Sequence, residues 1–176
     1  MELKFRDLRA DEIDVRLAQV FDDRGITLLL YKDTRVDQDI LDECVGAMNW
    51  QRHHSRDNAN CIISIWDSDK LQWVEKEDTG TESYTEKEKG LASDSFKRAG
   101  FNWGIGRELY TAPFIWIEWN KLVDVTAKKE VKPNDKSKYN IRDTFSVQDI
   151  EIKDKKIVGL TIINKKGTIV FEKKGK

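Results

Sequence analysis

Residues 85–107, TEKEKGLASDSFKRAGFNWGIGR, hold this chain to an α-helix more firmly than any other stretch. Thr85 followed three residues later by Glu88 is a capping-box pattern, in which hydroxyl and carboxylate satisfy the first backbone N–H groups of the helix. Gly104 and Gly106 punctuate the other end, where a left-handed residue turns the chain out of the helix. At 100° per residue, Ala92, Phe96, Ala99 and Trp103 share one side, and Lys87, Lys97, Arg98 and Phe101 share the other with Asp94. The first side is built to pack. The second offers cations beside an aromatic ring.

The segments around this helix predict the rest of the architecture. Ala10 to Phe21 places Ile13, Leu17 and Val20/Phe21 at three- and four-residue steps, which predicts a first helix. After Gly25, residues 26–31 (ITLLLY) predict a buried strand, and Val36 to Ala47 returns to helical spacing. Residues 60–66 (NCIISIW) and 71–76 (LQWVEK) flank the turn-rich tetrad Asp67-Ser68-Asp69-Lys70 and predict a β-hairpin, joined by the segment around Trp50. A further strand is expected at 114–119. Beyond a polar stretch at 128–139, residues 145–152, 156–164 and 167–173 predict a three-stranded meander between Asp-Lys and Asn-Lys-Lys-Gly turns. The expected fold is α+β: a small antiparallel β-hairpin sheet packed by helices, with a C-terminal β-meander. The expected divisions are a core at 1–126, a linker at 127–144 and a small basic appendage at 145–176.

Composition narrows the function classes. With 176 residues, of which 36% are charged, the chain has no apolar run near the roughly 20 residues of a membrane span and no signal-like N-terminus. A cytoplasmic protein without membrane contact is expected. The net charge of −1 hides an asymmetry: residues 127–176 hold 14 Lys+Arg against 7 Asp+Glu, leaving the first 126 at −8. Phosphate binding depends on local basic surface and not on the sum. Cys44 and Cys61 have neither CxxC spacing nor a histidine partner, and both are expected to be buried free thiols.

Sites for chemistry are few. Gly104-Ile105-Gly106 follows a helix and lacks the third glycine of a dinucleotide fingerprint, and no phosphate-loop motif occurs. Asp67-Ser68-Asp69 reads as turn chemistry and not as a metal site. His53 and His54, neighbours in a strand, point to opposite faces and suit no shared metal, although Arg52 and Arg56 beside them enlarge a basic surface. No catalytic residue, metal ligand or cofactor is expected. An exposed Phe101 beside Lys97 and Arg98 fits base stacking, worth about 1–3 kcal/mol per base, or a neighbouring element or subunit. Six tryptophans could add stacking platforms, with Trp103 assigned to the core by its phase.

The segment EKEKGLASDSFKRAGFNWGIG resembles the helix of the Rad fifty-two superfamily of single-strand annealing proteins, of the phage or bacterial type. Glu86, Lys87, Ala92, Phe96, Lys97, Arg98, Ala99, Trp103 and Gly104 carry the match. Upstream, residues 31–50 (YKDTRVDQDILDECVGAMNW) look like that family's strand, arginine, helix and tryptophan segment, with Arg35 and Trp50 at the matching points. The likeness spans about residues 8–110. It implies a β-β-β-α annealing core in 1–126 that binds single-stranded DNA in a basic groove of a homo-oligomeric ring and anneals strands without a nucleotide, in recombination or repair. It also implies phosphate contacts from Arg35, Lys97 and Arg98, to which Lys87 and Arg107 are added as neighbouring cations. Phe101 stands where the family has a further basic residue. A single-strand-binding or replication protein is a candidate partner. The alternatives are a module that protects DNA ends or single strands without annealing, and a metal-dependent nuclease.

Overall fold

A computed structural model describes residues 3–81 and 87–175, apart from the side chains of 87–89. In chain order the elements are β1 (Asp14–Phe21), β2 (Gly25–Tyr31), α1 (Thr34–Val45), β3 (Trp50–Ser55), β4 (Asn60–Asp67), β5 (Gln72–Thr79), α2 (Lys87–Trp103), β6 (Ile115–Glu118), β7 (Val125–Ala127), β8 (Tyr139–Ile141), β9 (Phe145–Lys153), β10 (Lys156–Asn164) and β11 (Ile169–Lys173), with short 3-10 turns between some of them. The fold is mixed α+β with antiparallel sheets. It divides into two compact units, Met1–Asp7 with Asp33–Arg107 and Leu8–Lys32 with Glu108–Lys176. These cuts differ from the expected ones because β9 to β11 share a sheet with β1, β2 and β6 instead of standing apart. No helix among the described residues is long and apolar enough to cross a membrane.

In the second unit the sheet order is β11-β10-β9-β1-β2-β6, and β11 returns against β6, so the sheet nearly closes into a barrel. Ile26, Leu28, Ile115, Ile117, Leu160, Ile162 and Val170 are all buried and supply its core. The first helix expected at 10–21 is instead a 3-10 turn at Ala10–Glu12 followed by β1. The cause is a bulge: Leu17 pairs with Leu28 and Gln19 with Thr27, leaving Ala18 as the extra residue. The bulge brings Val20 onto the same face as Leu17, so a strand acquires a three-residue apolar step that imitates a helix. The expected linker also holds structure. β8 lies within it and forms a two-stranded ribbon with β7, which ends at its first residue.

In the first unit, β3, β4 and β5 form a meander with β4 in the centre. The turn at 67–71 is made as expected from its residue types. The Asp67 carboxylate accepts from the N–H groups of Asp69 and Lys70 at 3.0 and 3.2 Å, and Leu71 takes φ +54°. The Lys70 ammonium, which donates to the same carboxylate at 3.2 Å, is the chief cause that holds the Asp67 carboxyl below the usual aspartate range, and the two N–H bonds add to it. α1 is capped by Asp33, whose carboxylate accepts from the Arg35 N–H at 2.8 Å, and buries Ile40 and Leu41. Cys61 is buried as expected, but Cys44 is exposed. Among the described residues its thiol reaches only the Lys4 carbonyl, at 3.6 Å.

α2 packs on β4 and β5 with Leu91, Ser95, Phe96, Ala99 and Gly100 buried. The expected capping box rests on Thr85 and the Glu88 side chain, which lie outside the described residues. The C-terminus closes as a Schellman motif. The Ile105 N–H bonds to the Gly100 carbonyl and the Gly104 N–H to the Phe101 carbonyl, both at 3.0 Å, with Gly104 at φ +100°. At the other end of the packing, Gly80 lies so close to α2 that an added Cβ would sit 2.6 Å from the Ser95 nitrogen and 2.9 Å from the Leu91 carbonyl oxygen. Both atoms are backbone and cannot rotate away. Gly80→Ala is therefore expected to destabilise the protein by about 1–3 kcal/mol, read as a lower urea midpoint.

Candidate nucleic-acid interface

A helix leaves its last carbonyls without partners, and cations near that end also meet the negative end of its dipole. In α2 these carbonyls recruit two cations from different directions. Arg107 donates from Nε to the Phe101 carbonyl at 2.8 Å and from Nη2 to the Asn102 carbonyl at 3.1 Å, with its guanidinium 5.4 Å from the centre of the Phe101 ring. Lys76 of β5 donates to the same Asn102 carbonyl at 2.8 Å and lies 4.5 Å from the centre of the Trp103 ring. The Trp103 indole N–H in turn bonds to the Ile63 carbonyl at 3.0 Å. The end of α2 thus presents two cation–aromatic pairs side by side.

The expected DNA-binding residues fall into distinct environments. Lys97 is half-buried on α2 and has no acidic partner among the described residues. Arg98, its neighbour, already faces Asp78 of β5, with Nε 3.4 Å from the carboxylate. Asp78 also receives the Asn102 amide at 3.1 Å, so it is fixed where it partly neutralises Arg98. Phe101 is half-buried instead of fully exposed, because Arg107 covers part of it. Arg35 stands at the start of α1, highly exposed, with Asp33 3.6 Å away. The start of α1 meets α2 through the hydroxyls of Thr34 and Ser93, 2.9 Å apart. Lys87 is the first residue of α2, and its side chain lies outside the described residues.

Lys76 was missed by sequence reading, and the hairpin register would have found it. It pairs with Ile63, a buried residue on the face that α2 covers, so its stem must run under the helix end. Arg52 likewise sits over the Phe96 ring, 5.1 Å from its centre. The remaining tryptophans of this unit are tied locally. Trp50 donates to Asp42 at 2.6 Å, and Trp66 packs edge-on to Trp73 at 5.5 Å.

The two histidines do lie in a strand, β3. His54 approaches the Ser95 hydroxyl at 3.4 Å, and burial pushes its pKa below the ordinary histidine value. No group of three His, Cys, Asp or Glu residues is placed to hold a metal among the described residues. No protein-family model, no curated protein and no solved structure matches the chain.

Proposed function

We propose that the first unit binds single-stranded DNA and anneals complementary strands, without nucleotide hydrolysis, as part of a homo-oligomer acting in recombination or repair. The observation that carries this reading is the end of α2, where two cation–aromatic pairs, Arg107 with Phe101 and Lys76 with Trp103, meet at the Asn102 carbonyl, and Lys97 stands about one turn before Phe101. Cations that track phosphates beside π-faces that take bases are the two components of sequence-independent single-strand binding. The order β3-β4-β5-α2 supports the same reading, since it is the β-β-β-α arrangement that the sequence resemblance implies.

The proposed mechanism follows from what these side chains can and cannot do. Lys97, Arg98 and Arg35 hold the backbone and leave Watson–Crick edges unread, so a second strand is tested by pairing alone. The protein lowers the repulsion between two polyanions and pre-extends one of them; base pairing supplies the selection. The test mixes complementary labelled oligonucleotides with the protein in EDTA and without nucleotide, and follows duplex formation by energy transfer. Acceleration over the protein-free rate is expected. Binding without acceleration would leave only a protecting module. Strand shortening on adding magnesium would replace the proposal by a nuclease.

A further inference from the structure

The two units differ in charge in the direction opposite to the one a DNA-binding first unit would suggest. Met1–Asp7 with Asp33–Arg107 carries 12 Lys+Arg against 17 Asp+Glu, whereas Leu8–Lys32 with Glu108–Lys176 carries 19 against 15. The first is net −5 and the second net +4. Long-range attraction of a polyanion therefore belongs to the barrel unit.

Within that unit the charges are sorted around the β7–β8 ribbon. Its carboxylates are used to hold the ribbon in place. Asp22 accepts from the Ser137 hydroxyl and from the Lys138 N–H at 2.9 Å, and Asp23 accepts from the Tyr139 hydroxyl at 2.7 Å. Asp124 is paired with Lys165. Asp135 accepts from the Lys132 N–H at 3.0 Å and meets Lys128 at 3.2 Å. The cations between them are left facing outward. Lys129, Lys132, Lys136 and Lys166 have no acidic partner among the described residues, and all are exposed.

On the ribbon itself lies an open groove of about 560 Å³, lined by Lys128, Lys129, Arg142, Thr126, Asn140 and Glu130. Lys128 is held by Asp135, which leaves Lys129 and Arg142, with the neutral donors Thr126 and Asn140, facing Glu130. The groove is open and not closed around a single small anion, as binding of a repeating polyanion requires.

We propose that this groove binds the phosphate backbone of a second nucleic-acid strand, with Lys129 and Arg142 as its principal contacts. The inference rests on the single-strand reading of the first unit and adds a separate site for the incoming strand. A charged contact of this kind is non-specific, salt-sensitive and weak alone. Those properties suit a strand that must be sampled and released.

The test uses the full chain with Lys129→Glu and Arg142→Gln together, and separately the milder pair Lys129→Gln and Arg142→Gln. Labelled oligo-dT is bound first, and capture of a second, non-complementary oligo-dT of another colour is then read by energy transfer, across a salt series. The wild type is expected to capture the second strand. The stronger variant should reduce capture about tenfold with a shallower salt dependence and unchanged melting, and the milder pair should fall between. First-strand affinity should change little.

Capture that is equal in all three proteins would overturn the ribbon site while leaving the first-unit reading intact. Absence of any strand binding by the wild type would overturn both. Loss of first-strand binding in the ribbon variants, with none in Lys97→Ala, would move the primary site to the ribbon and overturn its assignment to a second strand.

Discussion

Lys97→Ala combined with Arg98→Ala is expected to weaken single-strand binding about tenfold or more at low salt. Each phosphate contact contributes roughly 0.7 to the slope of log affinity against log salt for single strands, so loss of both should flatten that slope by about 1.4. The two residues should not contribute equally. Arg98 spends part of its charge on Asp78, while Lys97 has no such neighbour among the described residues, so Lys97→Ala alone should produce most of the change. Asp78→Asn separates this from general damage to the helix. It keeps an acceptor near the Asn102 amide, frees Arg98, and should strengthen binding. Fluorescence anisotropy over a salt series reads all of these. Slopes unchanged in every variant would remove α2 from the interface.

The largest stability effect is expected from Phe96→Ala. Phe96 is fully buried, its ring 6.2 Å from that of Trp50 and 5.1 Å from the Arg52 guanidinium. Truncating a buried phenylalanine costs about 3–5 kcal/mol from lost transfer energy and the cavity left behind. The first unit should melt at least 10 °C earlier, since each kcal/mol shifts the midpoint of a domain of this size by about 4–8 °C. Phe96→Leu should recover more than half of the loss. Because Phe96 also carries Arg52 on its face, the alanine variant should lose strand affinity in parallel with stability. An alanine variant that melts like the wild type would mean that α2 is not held to the sheet by this ring.

Much of the architecture was legible wherever one residue type decides one conformation. Asp67-Ser68-Asp69-Lys70 is a turn because a short carboxylate can cap the N–H groups ahead of it, and the flanking strands follow from that. Gly104 marks the end of α2 because it supplies a left-handed residue at little cost. Residues 14–21 were misread because a bulge at Ala18 changes the apolar period, and a bulge depends on the partner strand, not on the strand's own sequence. The interleaved division into two units was not legible for a similar reason. A sheet assembled from 14–31 and 115–173 leaves no mark in either segment alone.

The candidate site was legible as residue types and not as pairings. Lys97, Arg98 and Phe101 stand on α2, and Arg107 just beyond its end. That Arg98 is partly neutralised by Asp78, and that Arg107 is bound to the helix's own carbonyls, depends on contacts across the fold. A helix phase assigns a side chain its direction. It does not say what already waits there.

The interleaving of the two units sets an order of events during synthesis. Leu8–Lys32 leaves the ribosome early, but β2 has no β6 to pair with until all of Asp33–Arg107 has been made. The meander of β3 to β5 and the helix that covers it can form from contiguous chain, so the inserted unit is expected to fold first, while the β1–β2 hairpin waits with both edges open. An unpaired apolar hairpin is an invitation to wrong partners. Exposed time for that hairpin grows with every residue added to the insert, which places a folding-rate limit on how far loops in Asp33–Arg107 can lengthen before yield falls.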